Sequence, residues 1–226
     1  MRALALLLAA ALAPPAPFQE SKPATQPSTQ PASKPAEEFK PPALDPKIEP
    51  LVRLLEKKTK AFVSLGGPAE YLQFRESVKD FEFDRVLVGN SMIYQIADRL
   101  AEAKETVILP PEIAFEPQTR NRVNAPAVLS RAGVKIAFTP SPPNLEGHGT
   151  FPFRVAEVVK GGLDRAAALR AMTLTPAEIL GVADRVGSLE EGKDANILFF
   201  DGDPFDPRSR LRKVMLEGEF VHEATP

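Results

Sequence analysis

Four short runs of apolar, mostly branched residues recur along this chain, and their spacing limits the fold more than any other feature. They span 61–65, 85–89, 106–109 and 134–138, each bounded by Gly, Pro, Asn or Asp. Each is short enough for a buried strand. Between them lie helical patterns over 68–79, 91–103 and 121–132. In the second of these, Ile93, Ile96, Ala97 and Leu100 fall at i, i+3, i+4 and i+7, one apolar face of a helix. Gly133 stands where the third helix should stop. Strands separated by helices at this interval require parallel pairing through crossover connections. Polar residues do not alternate within the runs, which predicts a sheet covered on both faces. Four such units make half of an eight-stranded (β/α) barrel, or a small open sheet.

The pattern then changes. Residues 151–181 read as interrupted helix. Asp164 is expected to cap a helix over 165–172. Thr175 and Glu178 are spaced as a capping box with Pro176 at the first helical position, and Gly181 ends that helix. From 182 to 226 the chain reads as turns and short strands, a small β element without a core of its own.

The N-terminal region is of a different kind. Eleven of the 24 prolines fall in the first fifty residues. The chain opens with Arg2 and an apolar run from Ala3 to Ala13, too short to span a bilayer and suited to an export signal over 1–17. Residues 18–50 repeat Pro among Ser, Thr, Gln, Lys and Glu. This composition cannot bury enough apolar surface to offset its ordering entropy, and is expected to form a disordered linker. An exported protein follows, and membrane contact is expected only through an uncleaved signal segment.

Composition removes several kinds of chemistry. A net charge of -2 gives no basic face for nucleic acid. The absence of cysteine excludes disulfides, thiolate metal sites and thiol nucleophiles. Only two histidines exist, His148 and His222.

The segment 161–218 carries a specific signature. Ala168, Leu169 and Thr173 precede Pro176, Ala177, Leu180 and Gly181; then come Gly187, Ser188, Leu189, Gly192, Lys193 and Ala195 before a hydrophobic strand. In order and spacing these resemble the C-terminal signature of the amidohydrolase superfamily, particularly its imidazolonepropionase-like and dihydroorotase-like branches. The resemblance extends less distinctly over 51–221. It implies an α/β fold: a partial, half TIM-type (β/α) barrel of four parallel βα units over 51–181. A C-terminal β segment of a composite sandwich, 182–226, then follows. Strands that pair with that segment in the family, and the first barrel half, have no counterpart in the residues read here. An open sheet edge invites a partner.

The resemblance also implies hydrolysis of non-peptide C–N bonds, such as those of cyclic amides, with zinc or another divalent metal activating water. Ligands sit at the C-terminal ends of barrel strands: a His-x-His on the first, a His on the fifth, often one on the sixth, and an Asp on the eighth. The fifth-strand position here holds Ser64, the sixth Asn90, and the eighth ends at Ser141 without an aspartate. These residue types hold transition metals poorly, so no metal, no cofactor and no catalytic residue is expected. The reading is a pseudoenzyme that acts as a subunit or interaction module. Its implied partners are a protein chain supplying the missing barrel half and a small-molecule amide. The alternatives are an active hydrolase completed by such a chain, or a small-molecule-binding module that has lost catalysis.

Three further features qualify as candidates. The segment 139–152, after the last strand, is expected to be a long loop that brings Asn144, Glu146 and His148 to a cleft. Asp201, Asp203 and Asp206 superficially resemble a calcium turn but lack the remaining ligands and read as turn formers. Arg208, Arg210, Arg212 and Lys213 form a basic cluster on a solvated edge, while His222 reads as an exposed residue at a strand end.

Overall fold

The computed structural model describes residues 45–224. The expected export signal over 1–17, and the proline-rich tract as far as residue 44, lie outside the described residues. In chain order the elements are α1 (Glu49–Leu55), β1 (Ala61–Ser64), α2 (Pro68–Ser77), β2 (Arg85–Val88), a 3-10 turn (Ser91–Ile96) leading into α3 (Ala97–Glu102), β3 (Thr106–Leu109), β4 (Ile113–Phe115), β5 (Arg122–Asn124), α4 (Ala125–Arg131), β6 (Lys135–Phe138), α5 (Leu145–Lys160), α6 (Arg165–Met172), α7 (Leu174–Leu180), β7 (Ile197–Phe200), β8 (Leu211–Leu216) and β9 (Glu219–Glu223). No helix among the described residues is long and apolar enough to cross a membrane. Helix α1 straddles the expected end of the linker at residue 50, with Pro50 inside its first turn, where a missing N–H costs nothing.

The four expected strands form one parallel sheet in the order β1-β2-β3-β6. The sheet is open, half of a (β/α) barrel. Because side chains alternate across a strand, it has two distinct faces. Leu87, Val107, Leu109, Ile136 and Phe138 point toward the helices. They join Ile93, Leu100, Leu129, Val155 and Val158 in the main core, where most are wholly buried. On the other face Ser64, Val88, Ile108 and Ala137 lie in register as one row, with Phe62 beside Val86 in the next. Among the described residues Ile179 of α7 packs there with Val86, Ile108 and Ala137, leaving Val86 and Ala137 buried. Phe62 is left 54% exposed. The expectation of cover on both faces is therefore corrected: among the described residues one face is clad and the other only partly so.

Helix α7 is held to this second face by charge. The Lys60 ammonium donates to the carbonyls of Glu178 and Ile179 (3.2 and 3.1 Å), at the helix end where a cation is favoured. Lys135 pairs with the Glu178 carboxylate at 2.6 Å. Gly181, at φ 73°, closes the helix as expected. The expected capping box does not form. The helix starts at Leu174, Thr175 is buried, and Glu178 is engaged by Lys135 and Arg170 instead of reaching back.

Two other boundaries differ from expectation. The helix expected over 121–132 begins only at Ala125, because β5 pairs antiparallel with β4; Asn124 caps it through Ala127 N–H. The loop expected over 139–152 is helical from Leu145 onward, with Asn144 as its cap. Asp164 caps α6 through Ala167 N–H at 2.9 Å, as expected. The C-terminal strands form an antiparallel meander, β7-β8-β9, with no strand over 187–192.

Candidate functional site

In βα folds chemistry collects at the C-terminal ends of the strands, so those ends define the candidate site. Ser64 ends β1 and is exposed. Asn90, two residues past β2, is exposed at its surface but committed inward: its Nδ2 donates to Gly66 O at 2.7 Å and its Oδ1 accepts from Met92 N at 2.9 Å. Gly66 N–H donates to Glu70 Oε2 at 2.7 Å. Ser141 lies half-buried after β6, beyond Thr139 and Pro140. Two carboxylates near these ends were not singled out from sequence: Glu70 in the first turn of α2, and Glu112, three residues past β3. The acidic residue in a first helical turn directly after a strand was the available signal for Glu70.

A water-activating divalent metal needs imidazole or carboxylate donors from several strands. Ser64, Asn90 and Ser141 offer neutral oxygens; Asn90 Oδ1 already accepts Met92 N–H, and Glu70 Oε2 accepts Gly66 N–H. The residues present do not fit such an ion. No group of three or more His, Asp or Glu residues suited to a metal occurs among the described residues.

The second candidate lies at the start of α5. Asn144 is a helix cap, its Oδ1 accepting from Gly147 N at 3.0 Å. Glu146 and His148 sit two residues apart in the first turn of α5, a spacing that sends side chains to different sides of a helix. Both are exposed. His222 lies within β9, paired with Val214 and exposed.

The acidic turn is an ion-paired loop. Asp201 accepts from Arg210 N–H and from the Arg212 guanidinium (2.7 and 2.9 Å). Asp203 pairs with Arg165 at 2.5 Å, and Asp206 with Arg208 at 2.7 Å. The expected basic cluster is thus largely neutralised in place, with Lys213 paired to Glu223. The Arg208 side chain, then its N–H, lowers the Asp206 carboxyl from the usual 3.8 to about 2. A lowered folded-state value stabilises above the ordinary pKa, and that stabilisation is lost as pH falls through about 2. An NMR titration should place the Asp206 carboxyl there, and Arg208→Ala should return it toward the ordinary value.

Among the described residues an apolar recess lies away from the strand ends. A groove of about 560 Å³ is lined by Leu169, Met172, Val186, Leu198, Phe200 and Phe205, between α6 and β7. Strand β7 pairs only with β8 and leaves its other edge open among the described residues.

Comparison with known proteins bears on this architecture. The model of the amidohydrolase family matches residues 88–221. The amidohydrolase of Thermotoga maritima MSB8 superposes with a TM-score of 0.68 at 29% identity, over 83% of this chain and 49% of that one. A second solved amidohydrolase gives a TM-score of 0.56 at 16% identity, a likeness of fold alone, over 77% of this chain and 47% of that one. The amidohydrolase tasK of Hapsidospora irregularis is 37% identical over 67 residues, 28% of this chain and 7% of that protein. The chain thus spans about half the length of these solved structures and a small part of the curated relative.

Proposed function

Because the chain belongs to the amidohydrolase family, we propose that it is the scaffold half of a (β/α) barrel and supplies shape in place of metal ligands. In this reading it docks on a complementary set of βα units through the open edge of β1 and the partly bare face of the sheet. Hydrolysis of a non-peptide C–N bond, the activity the family resemblance implies, then takes its ligands from the complementary half, and this chain forms one wall.

The observation that carries the reading is the asymmetry of the sheet. One face is buried in a continuous core, while the other leaves Phe62 54% exposed and Ser64 open. A barrel closes only when eight parallel strands meet edge to edge, and here four do. An open edge with exposed apolar side chains is a template for pairing. Covering Phe62 alone recovers about 1 kcal/mol at the usual value for apolar burial. The misfit of the strand-end donors supports the division of labour.

Sedimentation velocity tests this on the chain itself. The exposed β1 side of this face should drive concentration-dependent association, and Phe62→Lys should suppress it without lowering the melting temperature. A compact monomer at every concentration, unaffected by Phe62→Lys, would argue against a docking face.

A further inference from the structure

We infer that the strand ends are tied into a hydrogen-bonded clasp centred on Asn90, and that this clasp takes the place of a cation centre. The peptide of Gly66 is gripped on both sides. Its N–H donates to Glu70 Oε2, and its carbonyl accepts from Asn90 Nδ2, each at 2.7 Å. The other end of the Asn90 amide accepts from Met92 N at 2.9 Å, at the start of the 3-10 turn. Backbone bonds continue the line: Leu65 N–H donates to Val88 O and Gly89 N–H to Ile108 O, each at 2.9 Å. Three strand ends and the following turn therefore move as one.

The amide is specified by its partners. One end faces a carbonyl and needs a donor; the other faces an N–H and needs an acceptor. A carboxylate at position 90 sets an oxygen against the Gly66 carbonyl. The two glycines leave room for neighbouring side-chain ends. A Cβ on Gly66 meets Glu70 Oε1 at 2.7 Å, and one on Gly89 meets Ile93 Cδ1 at 2.9 Å. A divalent cation at this place meets one carboxylate and one neutral amide oxygen, each already accepting a backbone N–H, and no imidazole, so the clasp offers it too few strong donors. This extends the proposed reading from what docks on the sheet to what its strand ends do, and its test needs this chain alone.

The test exploits a substitution on which the two roles disagree. In the full chain, Asn90→Asp should improve a cation site but break the clasp. The clasp predicts that Asn90→Asp and Asn90→Ala each lower the melting temperature by about 4 °C, the loss of one to two hydrogen bonds in a chain this size. Added Zn²⁺ or Mn²⁺ should not restore it, and neither metal should co-elute stoichiometrically. Glu70→Gln, which keeps an acceptor for Gly66 N–H, should change the melting temperature by less than about 1 °C, whereas Glu70→Ala should lower it. One zinc per chain retained by the unsubstituted protein and lost in Asn90→Ala would overturn the inference. So would an Asn90→Asp chain stabilised by metal, or an Asn90→Ala chain that melts unchanged.

Discussion

Glu105→Ala is expected to lower the melting temperature by roughly 10 °C, the largest effect of any single change considered for this chain. The Glu105 side chain is only 3% exposed. It accepts two bonds from Arg85 Nε at 3.1 Å and one from Arg85 NH2 at 2.6 Å, and further contacts from Arg75 and the Tyr71 hydroxyl, each at 3.3 Å. Arg85 begins β2, Glu105 directly precedes β3, and Tyr71 and Arg75 belong to α2. One carboxylate thus binds a helix to the N-terminal ends of two strands. Burial, and then the Glu105 charge, raise the Tyr71 phenol above its ordinary value.

Removing the carboxylate leaves Arg85, itself only 18% exposed, beside the rings of Phe74 and Phe83 without a counter-charge. Breaking one side of a buried pair costs about 3–5 kcal/mol, far more than losing a surface pair. Scanning calorimetry checks the result. Tyr71→Phe, which removes two long hydrogen bonds, one donated to Glu105 at 3.3 Å and one accepted from Arg75 at 3.4 Å, should cost about 1 kcal/mol. A fall of less than about 2 °C in Glu105→Ala would mean that water, and not the protein, solvates the cluster.

Gly147→Ala should be the second most damaging change, by on the order of 2–3 kcal/mol, because the new methyl has nowhere to go. A Cβ at this position lies 1.7 Å from the carbonyl oxygen of Pro142 and 2.8 Å from its carbon. That carbonyl accepts from Asn144 N–H at 2.8 Å, and Gly147 N–H donates to the Asn144 side chain. The clash is with backbone in a turn tied from both sides, so the first turn of α5 has to open and its cap is lost. Hydrogen exchange should then accelerate over 145–150 while Val155 and Val158, wholly buried in the core, stay protected. Gly149→Ala is the internal control. Nothing lies within 4 Å of a Cβ there, and alanine replaces glycine inside a helix, so it should be neutral or stabilising by up to about 1 kcal/mol.

These two sites mark where the sequence could and could not be read. The four parallel strands were legible because branched apolar runs bounded by turn residues have few other uses, and the caps at Asp164 and Gly133 are local chemistry. The β4–β5 hairpin was not legible, since three residues per strand carry no period. The start of α5 was obscured by Pro140, Pro142, Pro143 and Pro152 with two glycines, all of which read as loop. What makes it a helix is the Asn144 cap and a close approach to Pro142. The apolar character of the strands said that both faces want cover, but not that only one would receive it. At the strand ends, Ser64 closes β1, Asn90 follows β2 and Ser141 follows β6. The bond from Asn90 to Gly66 spans 24 residues, and the role of Glu70 depends on it, so neither leaves a local trace.

The exposed β1 edge of the partly clad face is the point on which the account turns, and thiol labelling reads it directly. The chain has no cysteine, so Phe62→Cys and Leu87→Cys each give one reporter, on opposite faces of neighbouring strands. Position 62 should react with a maleimide at close to the rate of a free thiol, with position 87 strongly protected. Adding the portion of the Thermotoga maritima amidohydrolase outside the matched 49% should slow position 62 alone. If position 62 is as unreactive as position 87 in the chain by itself, no open face exists for a second half-barrel to complete.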